Sequence, residues 1–240
     1  MTYRLGCRRD KPDTRDRLFG ELGHSTAVPA SSSLQDHVIQ VLDQGDTSSC
    51  VAHAWAQALR IADMVAGVKN PPLASREFIY YGARKFDGQD PVTDDGTELR
   101  SAAKAITKFG RPPETAWPFR PNQINAQPSW EAFREGYDAK GPASYYRLTT
   151  TAEIKQAIAA GKPVVGGVNV GESIESYTGG IYDPSPSEPS IGGHALCFIA
   201  YDPSCFTIVN SWGTSYGEGG FIRVSPRWAA QFSDLWAVAI

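Results

Sequence analysis

The chain has 240 residues, a formal net charge of −3 from 23 Lys and Arg against 26 Asp and Glu, and 41% hydrophobic residues. That length can bury a sizeable core and suits one two-lobed unit better than two independent domains, while a slightly acidic balance with no Lys/Arg-rich block argues against nucleic acid as partner. The longest apolar runs, such as residues 195 to 201, are too short for a membrane span, and the first thirty residues lack the apolar core of a secretory signal.

Residues 1 to 27 are charged and turn-prone, with RRDKPDTRDR alternating in sign and no periodic apolar stripe. They read as an extended arm whose obvious anchors are Tyr3, Leu5, Leu18 and Phe19. A strand-like lead-in from Val28 brings the chain to QGDTSSCVAHAWAQALRIADMVAG, Gln44 to Gly67, where a polar loop meets a helix. Val51, Ala54, Trp55, Ala58, Leu59, Ala62 and Val65 repeat at helical spacing, Asp46 to Ser49 can cap the first turn, and Gly67 ends it. A second helix is expected after Ser75 with Phe78, Ile79 and Tyr81 inward, and a third with Leu99, Ala102, Ala103, Ile106 and Phe109 on one stripe, stopped by Gly110 and Pro112. WPFRP at 117 to 121 and Trp130 read as structural. The second lobe is expected from about Gly141, with a capped helix in TTTAEIKQAIAAGK, a stop at Gly161, and then strands at 194 to 201, 206 to 211, 220 to 224 and 236 to 240. The fold class is therefore α+β, with a helical lobe at about 44 to 135 and an antiparallel, barrel-like lobe at about 141 to 240.

Chemistry converges on the seam between loop and helix. Cys50 stands at a helix N-terminus, where the macrodipole and unpaired amides favour a thiolate over a thiol. Gln44, earlier on the same loop, can turn its side-chain amide toward an oxygen that becomes negative during acyl transfer. A buried free cysteine beside a loop glutamine is the plainer reading of these two residues alone. A cysteine nucleophile needs a base with a fixed tautomer. Of the four histidines, His194 lies in IGGHALCFIAYD, a buried-strand pattern, and Asn210 follows at the end of the next strand in IVNSWGTSYGEGGFIRV. The fold can set the Asn210 oxygen against the His194 ring with Trp212 lying over both. His53, one helical turn after Cys50, points along the helix wall and reads as a core histidine. A metal site from Cys50, His53, Cys197 and Cys205 lacks any pair of CxxC type.

With these residues in view, the chain resembles the papain-like cysteine peptidases, the family of papain and the cathepsins. Gln44, Cys50, His194 and Asn210 stand in the family's order as oxyanion glutamine, nucleophile, imidazole and orienting asparagine, and NSWGTSYGEGGFIRV is close to the family's own text. Two positions depart: Thr47 replaces a cysteine that usually forms a disulfide, and Val51 replaces a tryptophan. The resemblance implies hydrolysis of peptide bonds in an extended peptide or protein substrate through a Cys50 thioester, with no cofactor. It implies that Asp95 and Gly96 offer backbone to the substrate, with Thr97 at the rim of the pocket for the second residue before the scissile bond. Gly167 and Gly193 would flank that pocket, leaving it roomy for bulky apolar groups, and Trp212 would cover the site. An acyl transferase using the same site, and a non-catalytic peptide-binding descendant, stay open as alternatives. Relatives carry a propeptide of domain size whose strand fills the cleft in reverse; residues 1 to 27 are too short for that globule, but an arm packing on or near the cleft is expected. Cysteines at 7, 50, 197 and 205 match none of the family's disulfide spacings, so a reducing, cytoplasmic setting is expected, and the protein is separately expected to be a monomer.

Overall fold

The computed structural model describes residues 3–22, 28–139 and 144–239. The expected start of the second lobe near Gly141 lies outside the described residues, as does the end of the arm at 23–27.

The helical side is built on α1 (Cys50–Val65), in which all residues but Arg60, Met64 and Val65 are buried. A single apolar stripe was expected; the small side chains Ala52, Ala54, Ala56 and Ala58 instead let the helix be enclosed on nearly every side. Trp55 Nε1 donates to the Leu99 carbonyl at 3.0 Å, fixing α1 against α3 (Leu99–Phe109). Helix α2 (Arg76–Phe86) starts where expected, with the Ser75 hydroxyl accepting from Phe78 N at 3.1 Å. Phe78 and Ile79 turn inward as expected, but the inward tyrosine is Tyr80, fully buried, rather than Tyr81, because Tyr80 stacks under Arg84 and hydrogen-bonds Asp94 at 2.8 Å. Gly110, at φ 85°, ends α3 as its sequence requires. Helix α4 (Trp130–Asp138) corrects another expectation: Trp130 is 73% exposed, since the helix docks through Ala132 and Phe133 and turns its first residue to solvent.

The other side is an eight-stranded sheet. Strands β4 (Ser144–Leu148), β10 (Asp234–Ala239), β5 (Val164–Val170), β7 (Gly192–Tyr201), β8 (Phe206–Val209), β9 (Phe221–Val224) and β6 (Ile181–Tyr182) lie in that order, and β2 (Ser32–Ser33) pairs with β7. All pairs are antiparallel except β6 with β9. Central β7 is buried along eight of its ten residues because α1 covers one face and α5 (Thr151–Ala159) packs nearby. Two further short strands, β1 (Cys7–Arg8) and β3 (Thr97–Glu98), pair in parallel as a separate ladder, with β1 lying against β7 and β5.

Helix α5 carries a reciprocal cap: Thr150 Oγ1 accepts from Glu153 N at 3.1 Å, and the Glu153 carboxylate accepts from Thr150 N at 3.0 Å. Thr150→Ala should cost about 1 kcal/mol and lower Tm by about 2–4 °C in a thermal melt. An unchanged Tm would show that the cap adds nothing to the folded lobe.

Candidate active site

The loop from Asp43 to Ser49 is locked from within before it meets α1. Thr47 is buried, its hydroxyl donating to the Gln44 carbonyl at 2.8 Å and lying 2.6 Å from Ser49 Oγ. Ser49 Oγ lies in turn 3.1 Å from His53 Nδ1. These hydroxyls tie the loop to the first turn of α1. His53 is a wall residue, as expected: burial and the neighbouring Arg76 guanidinium hold its pKa down to about 3. Neutral throughout the ordinary pH range, it braces the loop by reaching Asp43 O at 3.2 Å.

The predicted oxyanion glutamine is fixed at both ends. Ser211 Oγ donates to Gln44 Oε1 at 2.7 Å, and Gln44 Nε2 donates to Thr47 O at 2.7 Å. Its remaining N–H reaches the carbonyl of Arg4 at 2.9 Å. Ser211 was not singled out from sequence, although its place inside the Asn-Ser-Trp-Gly run offered a signal.

On β7, antiparallel pairing sets His194 opposite Val168, and Asn210 leaves the end of β8, the neighbouring strand. His194 Nε2 and Asn210 Oδ1 are 2.8 Å apart, so Nε2 carries the hydrogen and Nδ1 is left as the acceptor. Among the described residues that Nδ1 is buried without a hydrogen-bond partner. Trp212 stacks on the imidazole at 4.6 Å and 20°, shielding the pair from water as expected. Cys50 comes to this place because α1 packs on β7, and its sulfur lies within reach of the backbone N–H of Ala195, next to His194. Among the described residues no hydrogen bond joins the sulfur to His194.

The ionisation expected of Cys50 is corrected here. Both Cys50 and His194 are wholly buried. Burial pushes the thiol up to about 11, more than the N–H groups of Ala195, Gly6 and Val51 return, and pushes the imidazole down to about 4 despite Asn210. A helix N-terminus favours a thiolate only where water or a counter-charge helps, and here both are kept out. With the arm in place, burial therefore favours the neutral thiol and the neutral imidazole over the charged pair.

What keeps water out is the N-terminal arm. Tyr3 stacks on Trp212 at 4.0 Å and 6°, Leu5 packs at Gly192, and Gly6 passes over Cys50. Thr97 N donates to Gly6 O at 2.9 Å, and Cys7–Arg8 then pair in parallel with Thr97–Glu98. The strand-accepting edge expected at Asp95, Gly96 and Thr97 is thus occupied. Gly96, at φ 76°, cannot carry a side chain because a Cβ would stand 2.1 Å from Gly6 O. Thr97 is buried under the arm and donates to Asp87 at 2.5 Å, whereas Asp95 is exposed and holds Thr93 instead of facing the cleft. Gly167 and Gly193 do flank a pocket, of about 340 Å³, and the Cys7 thiol enters it beside Gly167. The pocket is roomy as expected, but its wall includes Asn169, Gln231, Ser233 and Asp234 and is not apolar.

The glutamine, thiol, imidazole and asparagine gather on one seam between helix and sheet. A family model described as papain family cysteine protease matches residues 28–232. An uncharacterized peptidase C1-like protein of Acanthamoeba polyphaga mimivirus is 32% identical over 95% of this chain and 76% of its own length. A cathepsin L-like proteinase of Fasciola hepatica is 24% identical over 84% of this chain, which spans 62% of that relative. Among solved structures, xylellain, a cysteine protease from Xylella fastidiosa, superposes with a TM-score of 0.87 at 27% identity, covering 98% of this chain and 95% of its own. The matched span holds all four converging residues, and so the chain belongs to the papain family of cysteine proteases.

Proposed function

We propose that the protein is an endopeptidase in which Cys50 attacks the scissile carbonyl and forms a thioester that water then hydrolyses. His194 takes the thiol proton through Nδ1 and returns it to the leaving amine, while Asn210 holds the ring in the tautomer that allows this. Gln44 and the Cys50 amide stabilise the tetrahedral oxyanion. The observation that carries this reading is the hydrogen bond from Gln44 Nε2 to Arg4 O at 2.9 Å, in which a peptide carbonyl, standing in for the scissile one, already sits on the oxyanion donor. Gln44→Ala should lower kcat/KM for a fluorogenic peptide by about 10²- to 10³-fold in a protein that is still folded by circular dichroism. A loss of less than about threefold would remove Gln44 from the transition state.

The arm is the regulator of that site. For His194 to protonate the leaving amine, a substrate's C-terminal half must lie under Trp212 and its N-terminal half along Thr97 and the Gly167 pocket. The arm runs the other way, from Tyr3 at Trp212 to Cys7 at Gly167. It thereby offers its carbonyl to Gln44 with its chain direction reversed, and its bonds are held but not cut. The four free thiols suit a reducing compartment.

A further inference from the structure

Past the cleft, the arm does not simply trail over the surface. Two of its aspartates enter a cluster of donors that belong to the catalytic domain. Asp16 takes a forked pair from Arg100, Nε at 2.8 Å and Nη2 at 2.5 Å, and a third bond from Arg147 at 3.2 Å. Asp10 accepts from the Arg100 backbone N at 3.0 Å and from Trp236 Nε1 at 2.8 Å. Arg100 also donates to the Lys11 carbonyl, and Arg147 N, on edge strand β4, donates to the Arg17 carbonyl at 2.8 Å. The domain's own acid here is Asp234, which bonds Arg147 at 2.9 Å and accepts from Asp10 N at 3.0 Å. Asp234 also lines the Gly167 pocket, so cluster and pocket are continuous.

Lifting the arm away leaves two arginines facing one aspartate, with the Arg100 amide and the Trp236 indole N–H emptied of their acceptors. Side chains now at 4% and 22% exposure would be opened to water. Such a surface is built to hold carboxylates on an extended chain. The cation excess of one is met by Asp16, and the second carboxyl, Asp10, is pushed up to about 6 by burial and by Asp234.

Resting on the proposed reading of the cleft, we infer that Arg100, Arg147 and Trp236 form an exosite for carboxylate-bearing extended segments of protein substrates, upstream of the scissile bond. Such a segment follows the arm's track in the opposite direction and competes with Asp10 and Asp16. Recognition of the substrate and removal of the arm are therefore one event. In the arm the pocket residue Cys7 lies three positions before Asp10 and nine before Asp16. A forward-running substrate would place its carboxylates three and nine positions before the residue that fills the pocket.

The test compares two quenched-fluorescence peptides on the full natural chain, identical except for Asp or Asn at those two positions. The Asp peptide should show a kcat/KM at least about tenfold higher, with the advantage shrinking as salt is raised and lost in Arg147→Gln. The same pair, dye-labelled, is titrated by anisotropy into full-length Cys50→Ala, where binding is read without chemistry. Tighter binding of the Asp peptide there supports the exosite even if turnover is absent, an outcome that would overturn the hydrolytic reading alone. Equal binding of the two peptides overturns the exosite whatever their turnover. Should Arg147→Gln fail to fold, competition on the natural chain by a peptide of residues 8–18, against its Asp10→Asn, Asp16→Asn form, takes its place. The native peptide should compete at least about tenfold better, and equal competition overturns the inference.

Discussion

Cys50→Ala should abolish peptide hydrolysis while the protein stays folded. The side chain is wholly buried between α1 and β7, so the substitution leaves a space of about one sulfur atom, and the expected cost is about 1–2 kcal/mol, within reach of an ordinary domain's stability. The kinetic loss is far larger. Removing the nucleophile from a set that acts as a unit costs on the order of 10⁶-fold, and what survives comes from oxyanion donors and binding. Turnover of a fluorogenic peptide, read beside circular dichroism and a thermal melt, separates the two effects. Substantial turnover by a folded Cys50→Ala protein would mean that another group attacks the substrate.

Gly6→Ala should act in the opposite direction and raise turnover of small peptides by about 10- to 100-fold. A Cβ on Gly6 would stand 1.9 Å from Ser48 O and 2.6 Å from Ser48 C. Both are backbone atoms of the loop that Thr47 and Ser49 lock to α1, so neither can step aside cheaply. Overpacking of this kind costs about 1–3 kcal/mol, and here the chain can avoid it by lifting residues 3 to 8 from the cleft. That cost becomes a shift in the population of open molecules, since each 1.4 kcal/mol is about tenfold. The distal anchor at Arg100 and Arg147 is untouched, so the variant should open without losing its arm. Unchanged or lower turnover by the folded variant would show that the arm does not limit access.

Much of the site was legible because its residues fall in short, ordered stretches. Cys50 follows a run of cap formers, His194 precedes a continuous apolar strand, and Asn210 and Trp212 stand in one glycine-rich block. Each local pattern fixes its own element, and packing of α1 on β7 then brings the elements together. Departures fall where a partner outside the local pattern decides the outcome. Tyr80 rather than Tyr81 turns inward because Asp94 and Arg84 receive it. Trp130 faces solvent because α4 docks through Ala132, Phe133 and Gly136 instead. The thiol is raised instead of lowered because residues 3 to 8 of the N-terminal arm seal it, and nothing near Cys50 in sequence announces them. The two anchoring aspartates were hidden likewise: RRDKPDTRDR reads as a solvated charge run until Arg100 and Arg147 are set beside it.

The most direct test is the rate at which an epoxide that traps reactive cysteines modifies each of the four thiols, followed by peptide mapping in the natural chain and in Gly6→Ala. Modification should fall on Cys50, slowly in the natural chain and at least about tenfold faster when residue 6 no longer fits, with Cys197 and Cys205 spared. Preferential labelling of any other cysteine, or a Cys50 rate that is the same in both proteins, would contradict a nucleophile held at rest beneath the arm.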